Sequence, residues 1–371
     1  MNDSPLTNER LASCMASVFL GPGQPMDLRT FPLPTPDTGE AIVRIECCTL
    51  CGSDLHTLTG KRSENCPSIL GHEILGVVEV VGDPPPCDLE GRPLRAGDRI
   101  TWSTSVSCGN CDRCRGGLPQ KCRTLAKYGH ELAEGHYALS GGLSEFLLLR
   151  RGSTAICIPP DMPAEVICPV NCATATIAAA FRAAGSAQGH RVLILGAGML
   201  GLTAAAFASS QGAATTIVCD VNARRLERAK LFGADHTVEW DTNPETFRRR
   251  LLDLGTAEQF DVILELSGST EAVECAFRHG DIGARIVLVG SVMKSRPASI
   301  DPEQVVRRWY SIHGVHNYAP TDLRVAVRFL EQFGSTYPFA SLVEFTYPLT
   351  EIHAAINKAV HARPFRVAIR P

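Results

Sequence analysis

The chain of 371 residues is too long for one ordinary hydrophobic core and suggests two domains. Its formal net charge of −3 and pI of about 6.4 give no reason to expect a nucleic-acid partner. Hydrophobic residues make up 44% of the chain, and no run approaches the roughly 18 apolar residues of a membrane helix, so we expect a soluble protein.

The N-terminus and the cysteine content indicate the compartment. MNDSPLTNER is polar and lacks the basic-then-apolar order of a secretory signal, which predicts a cytoplasmic protein. Fifteen cysteines without such a signal indicate a reducing environment, in which thiols bind metal or lie in the core. We assign six of them to zinc and expect the other nine, including the adjacent Cys47 and Cys48, to be reduced and structural.

The sequence pattern of the first third of the chain is typical of a β-rich domain. Residues 1–15 are expected to form a disordered tail, and Pro- and Gly-rich turns follow through Gly39. Residues 41–46 have strand character, and the run 74–81 is rich in β-branched residues and bounded by Gly82 and three prolines.

Between these two strands, the segment 51–73 offers a thiolate at Cys51 and an imidazole at His72. A single Cys is usually a small buried apolar residue. The sequence Gly71-His72-Glu73 after a Pro-bounded loop, together with a second cysteine cluster downstream, favours a metal site instead. With a third ligand farther along the chain, two Cys and one His would form an open zinc site that leaves the fourth position for water or substrate.

A dense cysteine cluster follows, in the sequence SCGNCDRCRGGLPQKC. Four thiolates this close can surround zinc as a closed tetrahedron, the arrangement of structural sites, and the interspersed glycines allow sharp turns. Two disulfides are the first alternative and are disfavoured in the cytosol. An iron–sulfur cluster is the second, and thiolate spacing alone does not exclude it, although we favour zinc. The four residues are Cys108, Cys111, Cys114 and Cys122.

From about residue 168 the sequence pattern changes to alternating helices and strands. An Ala-rich helical run ends at Gly185, and an apolar strand at 191–195 leads into a glycine-rich turn and then a helix at 202–210. A second apolar strand, 215–219, ends on Asp220. A GxGxxG motif placed between a strand and a helix, with an acid at the tip of the next strand, predicts a dinucleotide site.

The residues of this motif suit a dinucleotide. Gly196 permits the tight turn, Gly198 lets the backbone approach the pyrophosphate, and Gly201 allows close packing of helix and strand. The helix N-terminus at Met199 and Leu200 faces the phosphate charge. Asp220 would bond the ribose hydroxyls and repel a 2′-phosphate, which favours NAD, whereas the nearby Arg224 and Arg225 keep NADP open.

Strand and helix patterns continue to alternate beyond this motif. Strand candidates at 260–266 and 284–290 alternate with helical segments at 244–254 and 271–277. This repeated βαβ pattern predicts an α/β fold with a parallel, doubly wound sheet.

Taken together, these motifs resemble the zinc-dependent medium-chain alcohol dehydrogenase superfamily over nearly the whole chain beyond the first 15 residues. The resemblance implies a GroES-like catalytic domain at 1–172, an NAD-binding Rossmann domain at 173–311, and a return to the catalytic domain at 312–371. It also implies a homo-oligomer, a dimer or a tetramer.

The resemblance further implies roles for individual residues. Cys51, His72 and Cys172 match the catalytic zinc ligands, and the four clustered cysteines match the structural zinc lobe. Glu73 matches an acid that approaches the zinc from behind, Ser53 the hydroxyl at the substrate oxygen, His56 a proton-relay imidazole, and Asp54 the partner of His72. Thr176 matches a residue beside the nicotinamide, and Arg366 one near the cofactor phosphates. For His56 the alternative is a solvated loop histidine.

Several segments are also similar to a subgroup of these dehydrogenases associated with phosphonate catabolism, namely GSDLH, PSILGHE, KYGHE, SGGLSEF, NCATAT and GAGMLGLTAAA. The resemblance implies an NAD(H) oxidoreductase that interconverts a small alcohol and its aldehyde or ketone. A polyol or amino-alcohol dehydrogenase acting on an uncharged or zwitterionic secondary alcohol is the alternative among enzymes. A non-catalytic zinc- and nucleotide-binding protein is the alternative of another class, against which the open metal position argues.

Two positions suggest an anionic substrate. In the parent family the sixth residue after the His at position 56 normally lines the substrate pocket with an apolar side chain, but here it is Arg62, preceded by Lys61. Both could be solvated loop cations. The arginine fork, however, suits phosphonate or carboxylate oxygens. Thr104 places a polar group where an apolar wall is common, so we expect a small alcohol or aldehyde that carries an anionic group, phosphonate first.

Overall fold

The structure is a computed structural model that describes residues 12–256 and 258–371. The chain divides into two compact units. The first runs to Cys172 and includes Ala340–Pro371, and the second is Ala173–Phe339.

Short strands dominate the first unit and alternate with helices in the second. The strands of the described residues are β1 (Ser13–Phe19), β2 (Asp27–Pro32), β3 (Ala41–Leu50), β4 (Ser68–Ile69), β5 (Glu73–Val81), β6 (Arg99–Trp102), β7 (Ser105–Val106), β8 (Ala126–Lys127), β9 (Phe146–Leu149), β10 (Ala155–Cys157), β11 (Arg191–Leu195), β12 (Thr215–Asp220), β13 (His236–Glu239), β14 (Phe260–Glu265), β15 (Gly280–Leu288), β16 (Ser311–Gly314), β17 (Val343–Pro348) and β18 (Arg366–Arg370). The helices of the described residues are α1 (Gly52–Leu58), α2 (Asp112–Arg115), α3 (Ala164–Ile167), α4 (Ala173–Ala184), α5 (Met199–Ser210), α6 (Ala223–Leu231), α7 (Pro244–Asp253), α8 (Thr270–Arg278), α9 (Pro302–Arg307), α10 (Pro320–Phe333) and α11 (Ile352–Ala362).

The first unit is built on a mixed sheet in the order β10-β6-β5-β3-β18-β17, with β9 also paired to β3. A smaller sheet, β2-β1-β4, and the pair β7-β8 complete it. Buried aliphatic side chains of β1, β3, β5 and β9 meet around Trp102 and Tyr128, whose rings lie 5.9 Å apart edge to face. This is the GroES-like fold that the sequence predicted.

The register of β3 positions the chemistry of this unit. Thr49 of β3 pairs with Glu73 of β5, so the residue after the end of β3 and the residue before the start of β5 lie at the same end of the pair. On the other side of β3, Leu50 pairs with Val367 of β18, which brings Arg366 to that end. Side chains that are far apart in sequence therefore converge beyond the end of β3.

The second unit is the predicted doubly wound domain. Its parallel sheet has the order β13-β12-β11-β14-β15-β16, in which the sequence of strands reverses direction beside β11. Dinucleotides bind in sheets of this kind outside the carboxyl ends of the strands at the reversal point. The predicted strands and helices of the motif appear as β11, α5 and β12.

Two expectations from the sequence were wrong. Residues 1–11 of the predicted tail lie outside the described residues, but β1 begins at Ser13 and pairs with β2, where turns alone were expected. Cys14, Ala16 and Val18 place a buried apolar side chain at every second position, a spacing typical of a strand, and Ser17 and Phe19 are buried as well.

The predicted return to the first unit at residue 312 was also wrong, because residues 312–339 belong to the second unit. The strand β16 extends the parallel sheet by pairing with β15. The helix α10 packs on α4 and α5: Asp322 accepts two bonds from Arg182 at 2.7 and 2.9 Å, and the Phe329 ring lies 3.9 Å from that of Phe207. The return occurs at Ala340. The strand β16, with the sequence SIHG, is short and mostly exposed, so it lacks the apolar run that would have indicated it.

Within residues 12–256 and 258–371, no single helix is both long and apolar enough to cross a membrane. One pair of consecutive segments, Ala164–Asn171 and Ala173–Ala184, meets the criteria jointly, by length and composition only.

Replacing Phe247 by Ala should lower the free energy of unfolding of the second unit by about 3–5 kcal/mol. The Phe247 ring is fully buried on α7 and lies 5.2 Å from the Trp240 ring and 5.4 Å from the His279 ring. Leu252→Ala on the same helix is the control, since Leu252 is 45% exposed and should change stability by no more than about 0.5 kcal/mol. Urea unfolding followed by circular dichroism measures both, and equal losses would contradict this packing.

Candidate functional site

The three predicted zinc ligands of the first unit lie together. Ligand atoms of Cys51, His72, Glu73 and Cys172 are all within 4.8 Å of one another. The two sulfur atoms are 3.9 Å apart. Two thiolates bound at about 2.3 Å to one tetrahedral zinc would be separated by about 3.8 Å. The donor set and the spacing therefore fit a zinc ion held by two sulfurs and one imidazole nitrogen.

Asp54 holds two of these residues in place. It lies in the first turn of α1, 1% exposed, and its Oδ2 accepts the backbone N–H of Cys51 at 2.8 Å. Its Oδ1 lies 3.4 Å from His72 Nδ1. A carboxylate next to Nδ1 favours the tautomer whose Nε2 is free to bind metal.

The two thiols share one negative charge. The hydrogen bond from the Cys172 thiol holds the pKa of Cys51 well below its usual range, although burial opposes this. The Cys51 thiolate in turn raises the pKa of Cys172 well above its usual range. For His72, burial lowers the pKa, but Asp54 and the Cys51 thiolate outweigh it and raise the pKa overall. A cation placed among these groups would displace their protons, since both thiolates and a neutral imidazole are the binding forms.

Arg366 lies behind this group, where it pairs with Glu73, and the role predicted for it near the cofactor phosphates stays a prediction. Its Nε and Nη2 donate to the two oxygens of Glu73, each at 2.6 Å, and its Nη1 donates to the carbonyl of Phe365. Its Nη2 also lies 3.6 Å from Cys51 Sγ. Both members of the pair are buried, and pairing raises the pKa of Arg366 despite burial. Arg366 therefore offsets negative charge at the ligands.

Glu73, predicted to approach the zinc from behind, lies in the same group as the three predicted ligands. Its carboxylate belongs to the ligand group, and it also accepts the hydroxyl of Thr49 at 2.5 Å. Burial raises its pKa, while the charge of Arg366 opposes that shift. The carboxylate is thus close enough to reach a metal held by the other three residues.

Ser53 and His56 lie three residues apart on α1, and so on one face of the helix. Ser53 Oγ is 3.4 Å from His72 Nε2, at the metal-facing nitrogen. His56 is partly buried, and burial followed by the charge of Lys61 lowers its pKa. At neutral pH its imidazole is neutral and can accept a proton.

Arg62 forms an ion pair within the protein, because its Nε lies 2.6 Å from Glu64 Oε1. The same oxygen lies 3.3 Å from Nδ1 of His130, whose ring stacks on His72 at 5.5 Å between centroids. A chain of contacts thus links Arg62 to the ligand His72. Lys61 is exposed.

The second predicted substrate residue, Thr104, lies in the loop after β6 and is partly exposed. Its carbonyl accepts the backbone N–H of Tyr128 at 3.0 Å. This contact ties the loop to the segment that carries His130.

The four clustered cysteines also converge. Their sulfur atoms lie within 4.8 Å of one another, with separations that include 3.5, 3.9 and 4.0 Å. The backbone N–H of Cys108 donates to Cys122 Sγ at 3.3 Å, which is the main reason that the pKa of Cys122 falls to about 6. These separations are again those of thiolates on one tetrahedral zinc, and four thiolates leave no vacancy.

In the second unit, the glycines behave as the motif requires. Gly196 has φ of +110°, which disfavours any side chain. A Cβ on Gly201 would lie 1.8 Å from the carbonyl oxygen of Gly196, so only glycine lets α5 approach the strand this closely. A Cβ on Gly198 would meet nothing within 4 Å, which leaves its backbone open to a ligand. Met199 and Leu200 form the first turn of α5, where backbone N–H groups face outward.

Asp220 lies at the end of β12 as predicted. Its Oδ2 accepts the backbone N–H of Ala197 at 2.6 Å, and its Oδ1 accepts that of Asn222 at 2.9 Å. Each oxygen has a further lone pair for a ligand hydroxyl. A cleft of about 480 Å³ opens beside it. The cleft is lined by Leu195, Gly196, Cys219, Asp220, Val221, Trp240, Ser267, Ser269 and Ala272.

Two further predicted cofactor residues belong to the second unit. Thr176 lies in the helix α4, partly exposed, four residues after Cys172. Arg225 lies in the first turn of α6, where its backbone N–H is capped by Asn222 at 3.3 Å. Neither position contradicts a role at the cofactor.

Sequence reasoning missed Trp240, Ser267, Glu64, His130 and Asn171. Trp240 and Ser267 follow the ends of β13 and β14, and the rule that ligands bind beyond the carboxyl ends of parallel strands could have found them. Glu64 and His130 meet only through contacts between distant segments, and no spacing in the sequence indicates that.

The chain resembles known proteins in both halves. Residues 37–160 match the family described as alcohol dehydrogenase GroES-like domain, and residues 200–332 match the zinc-binding dehydrogenase family. The chain is 30% identical to L-threonine 3-dehydrogenase of Vibrio atlanticus over 84% of this chain and 83% of the relative.

Solved structures of dehydrogenases are also similar to this chain. An alcohol dehydrogenase from Thermotoga maritima has a TM-score of 0.90 at 26% identity, covering 97% of this chain and 99% of that one. A zinc-binding dehydrogenase from Sinorhizobium meliloti bound to NADP has a TM-score of 0.84 at 25% identity, covering 97% of this chain and 99% of that one. An alcohol dehydrogenase from E. coli CFT073 complexed with NADH has a TM-score of 0.83 at 25% identity, covering 97% of this chain and 100% of that one.

Metal analysis of purified variants should separate two zinc ions. Cys172→Ala should keep the fold and one zinc, because it removes a ligand from the open group only. Cys114→Ala should instead destabilise the cysteine lobe, since a structural zinc site contributes directly to folding. One zinc in the well-folded wild-type protein, or loss of the same ion from both variants, would contradict the assignment.

Proposed function

Because the chain belongs to the zinc-dependent medium-chain dehydrogenase superfamily, we propose that it is an NAD(H) oxidoreductase that interconverts a small alcohol and its aldehyde or ketone. The observation that supports this most directly is the convergence of Cys51, His72 and Cys172 in one group. Two sulfurs and one nitrogen from the protein leave a position for substrate, as catalytic zinc sites do.

The residues around this group have complementary tasks in the proposed reaction. Zinc, when bound there, supplies Lewis acidity that lowers the pKa of the alcohol toward neutrality. Ser53 accepts the hydroxyl proton, and its place 3.4 Å from His72 Nε2 supports this role. His56 passes the proton to solvent, for which its lowered pKa suits it. Oxidation of the carbinol carbon is balanced by reduction of NAD and release of that one proton.

Three observations support a dinucleotide site in the second unit and NAD as its occupant. The glycine turn is tight, the first turn of α5 is open at Gly198, and Asp220 presents a carboxylate beside the cleft. A carboxylate there favours free ribose hydroxyls and disfavours a 2′-phosphate. One of the similar structures binds NADP and another NADH, so the two cofactors must be compared directly.

We also propose a cytoplasmic location and an assembly of two or four chains. All fifteen cysteines are free, which supports a reducing compartment. Exposed apolar side chains at Ile282, Val306 and Trp309 of the second unit support assembly, because large exposed apolar groups commonly mark contact surfaces.

The substrate is proposed to carry an anionic group, with phosphonate as the first choice. Arg62 supplies a guanidinium that its pairing with Glu64 orients through Nε, so that a ligand anion would contact the other two nitrogens. The neighbourhood also contains Lys61 and Lys127, and after burial the charge of Arg62 is the largest influence lowering the pKa of Lys127. These three cations outnumber the carboxylates of Glu64 and of Glu131, which accepts the backbone N–H of Lys127 at 2.9 Å.

A second candidate, a zwitterionic amino alcohol, is favoured by the same ion pair. Arg62 and Glu64 together present both charges, and a zwitterion carries an ammonium and an anion. The relative from Vibrio atlanticus is an L-threonine 3-dehydrogenase, and L-threonine is such a compound. A hydroxy amino acid therefore belongs in every substrate comparison, and a clear preference for it over the phosphonate would select this candidate.

Asp220→Asn should erode discrimination against NADP, because it removes the charge and keeps an acceptor for the N–H of Ala197. Loss of charge-assisted bonds worth about 1.5–3 kcal/mol should lower kcat/KM for NAD by about 10–150-fold, with a smaller effect on NADP. Steady-state kinetics with both cofactors test this. A wild-type preference for NADP, or an unchanged NAD to NADP ratio in Asp220→Asn, would refute the role of Asp220.

Arg62→Leu should selectively impair an anionic substrate. The loss of one charge-assisted contact should lower kcat/KM for a hydroxyalkyl phosphonate by about 10–150-fold, and the value for a neutral alcohol of similar size should change little. Lys61→Leu is the matched control, since it removes the neighbouring exposed cation. Equal losses on both substrates, or a wild-type preference for the neutral alcohol, would remove the anion-binding role from Arg62.

A further inference from the structure

The ligand Cys172 lies at a one-residue break between two helical segments, since α4 begins directly after it at Ala173. It follows a short 3-10 turn, Cys168–Asn171, and has φ of −127° and ψ of −76°, outside the helical region. Its backbone N–H donates to the carbonyl of Pro169 at 3.2 Å. Regular secondary structure therefore does not determine where its sulfur atom points, and some other contact must fix this residue relative to His72.

The preceding side chain, Asn171, supplies such a contact. It is fully buried, and its Nδ2 donates to the carbonyl oxygens of His72 at 3.0 Å and of Trp102 at 2.8 Å. Both acceptors are carbonyls, which only accept, so the orientation of the amide is unambiguous. An amide nitrogen has two hydrogens, and here both are used.

These bonds join the backbones of two ligands that are far apart in sequence. Asn171 is covalently attached to Cys172, and its amide holds the carbonyl of His72 itself. The same turn makes a second contact, because the Cys168 thiol shares its one hydrogen between the carbonyls of Cys47 and Glu73, each at 3.3 Å. Two successive carbonyls, those of His72 and Glu73, thus accept from the one turn that carries Cys172.

We propose that Asn171 is a positioning residue of the catalytic metal site: it fixes Cys172 against His72 before the ion binds. The inference rests on the proposed function, in which Cys51, His72 and Cys172 hold zinc. Without the amide, the 3-10 turn loses its attachment to the His72 backbone, and the Cys172 sulfur must be ordered when the ion binds. Contacts that orient metal ligands typically contribute about 10–100-fold to metal affinity.

The test measures zinc release from purified, two-zinc protein to a chromophoric chelator. Cys172→Ala should retain only the ion of the cysteine lobe. Its release curve therefore identifies which of the two phases of the wild-type protein belongs to that ion. Asn171→Ala should accelerate release of the other ion by about 10–100-fold and leave the lobe phase unchanged. Asn171→Ser, which keeps one donor, should give a smaller acceleration of the same phase and serves if the Ala variant does not fold.

Asn243→Ala is the matched control. Asn243 caps α7 in the second unit by accepting the N–H groups of Glu245 and Thr246, so its loss weakens the fold away from the metal groups. Both release phases should then match the wild type. Wild-type release from folded Asn171→Ala or Asn171→Ser, or equal acceleration of both phases, would overturn the positioning role. A wild-type protein with only the lobe zinc would instead refute the proposed catalytic site itself.

Discussion

The antiparallel register between β3 and β5 is the constraint on which the rest of the first unit depends. It pairs Thr49 with Glu73, so that Cys51 and His72 emerge side by side although 20 residues separate them in sequence. A slip of one residue would turn every side chain of a strand to the opposite face. The proposed metal ligands, the carboxylate of Glu73 and the helix α1 that begins after Cys51 would all be displaced together.

Charge at this end of the sheet is balanced within the protein. The Glu73 carboxylate is buried and the Cys51 thiolate is partly buried, and the guanidinium of Arg366, which lies in β18, contacts both. Removing one partner of a buried pair typically costs about 3–5 kcal/mol, because an uncompensated charge remains. Because Arg366 compensates their negative charge, anionic side chains can be kept in the interior, as a site for a divalent cation requires.

Local patterns in the sequence were sufficient for the parts of the site that depend on short-range geometry. The glycine motif predicted the turn between β11 and α5, and the spacing from Cys108 to Cys122 predicted a cluster, because each is formed by neighbouring residues. Arg366 and Glu73 lie 293 residues apart, and Asn171 and His72 lie 99 apart. Which residues meet over such distances depends on sheet order and register, and no local pattern specifies them.

The two wrong predictions about the fold also concern segments that depend on distant pairing. The strand β1 begins directly after a polar segment, so its apolar residues were not distinguished from a tail, and β16 contributes only four mostly exposed residues. Both strands are stabilised by pairing with neighbours, β1 with β2 and β4, and β16 with β15. Propensity alone contributes little to strands of this kind.

The most direct test of the proposed dehydrogenase activity is whether the protein turns over an alcohol. Zinc-loaded protein is mixed with NAD and, in turn, with small alcohols bearing phosphonate, sulfonate, carboxylate, amino-acid or no charged groups, and the near-ultraviolet absorbance of NADH is followed. We expect an alcohol-dependent rise that Ser53→Ala strongly reduces. Binding of zinc and NADH without such a rise for any of these alcohols, or reduction of NAD that needs no alcohol, would contradict it.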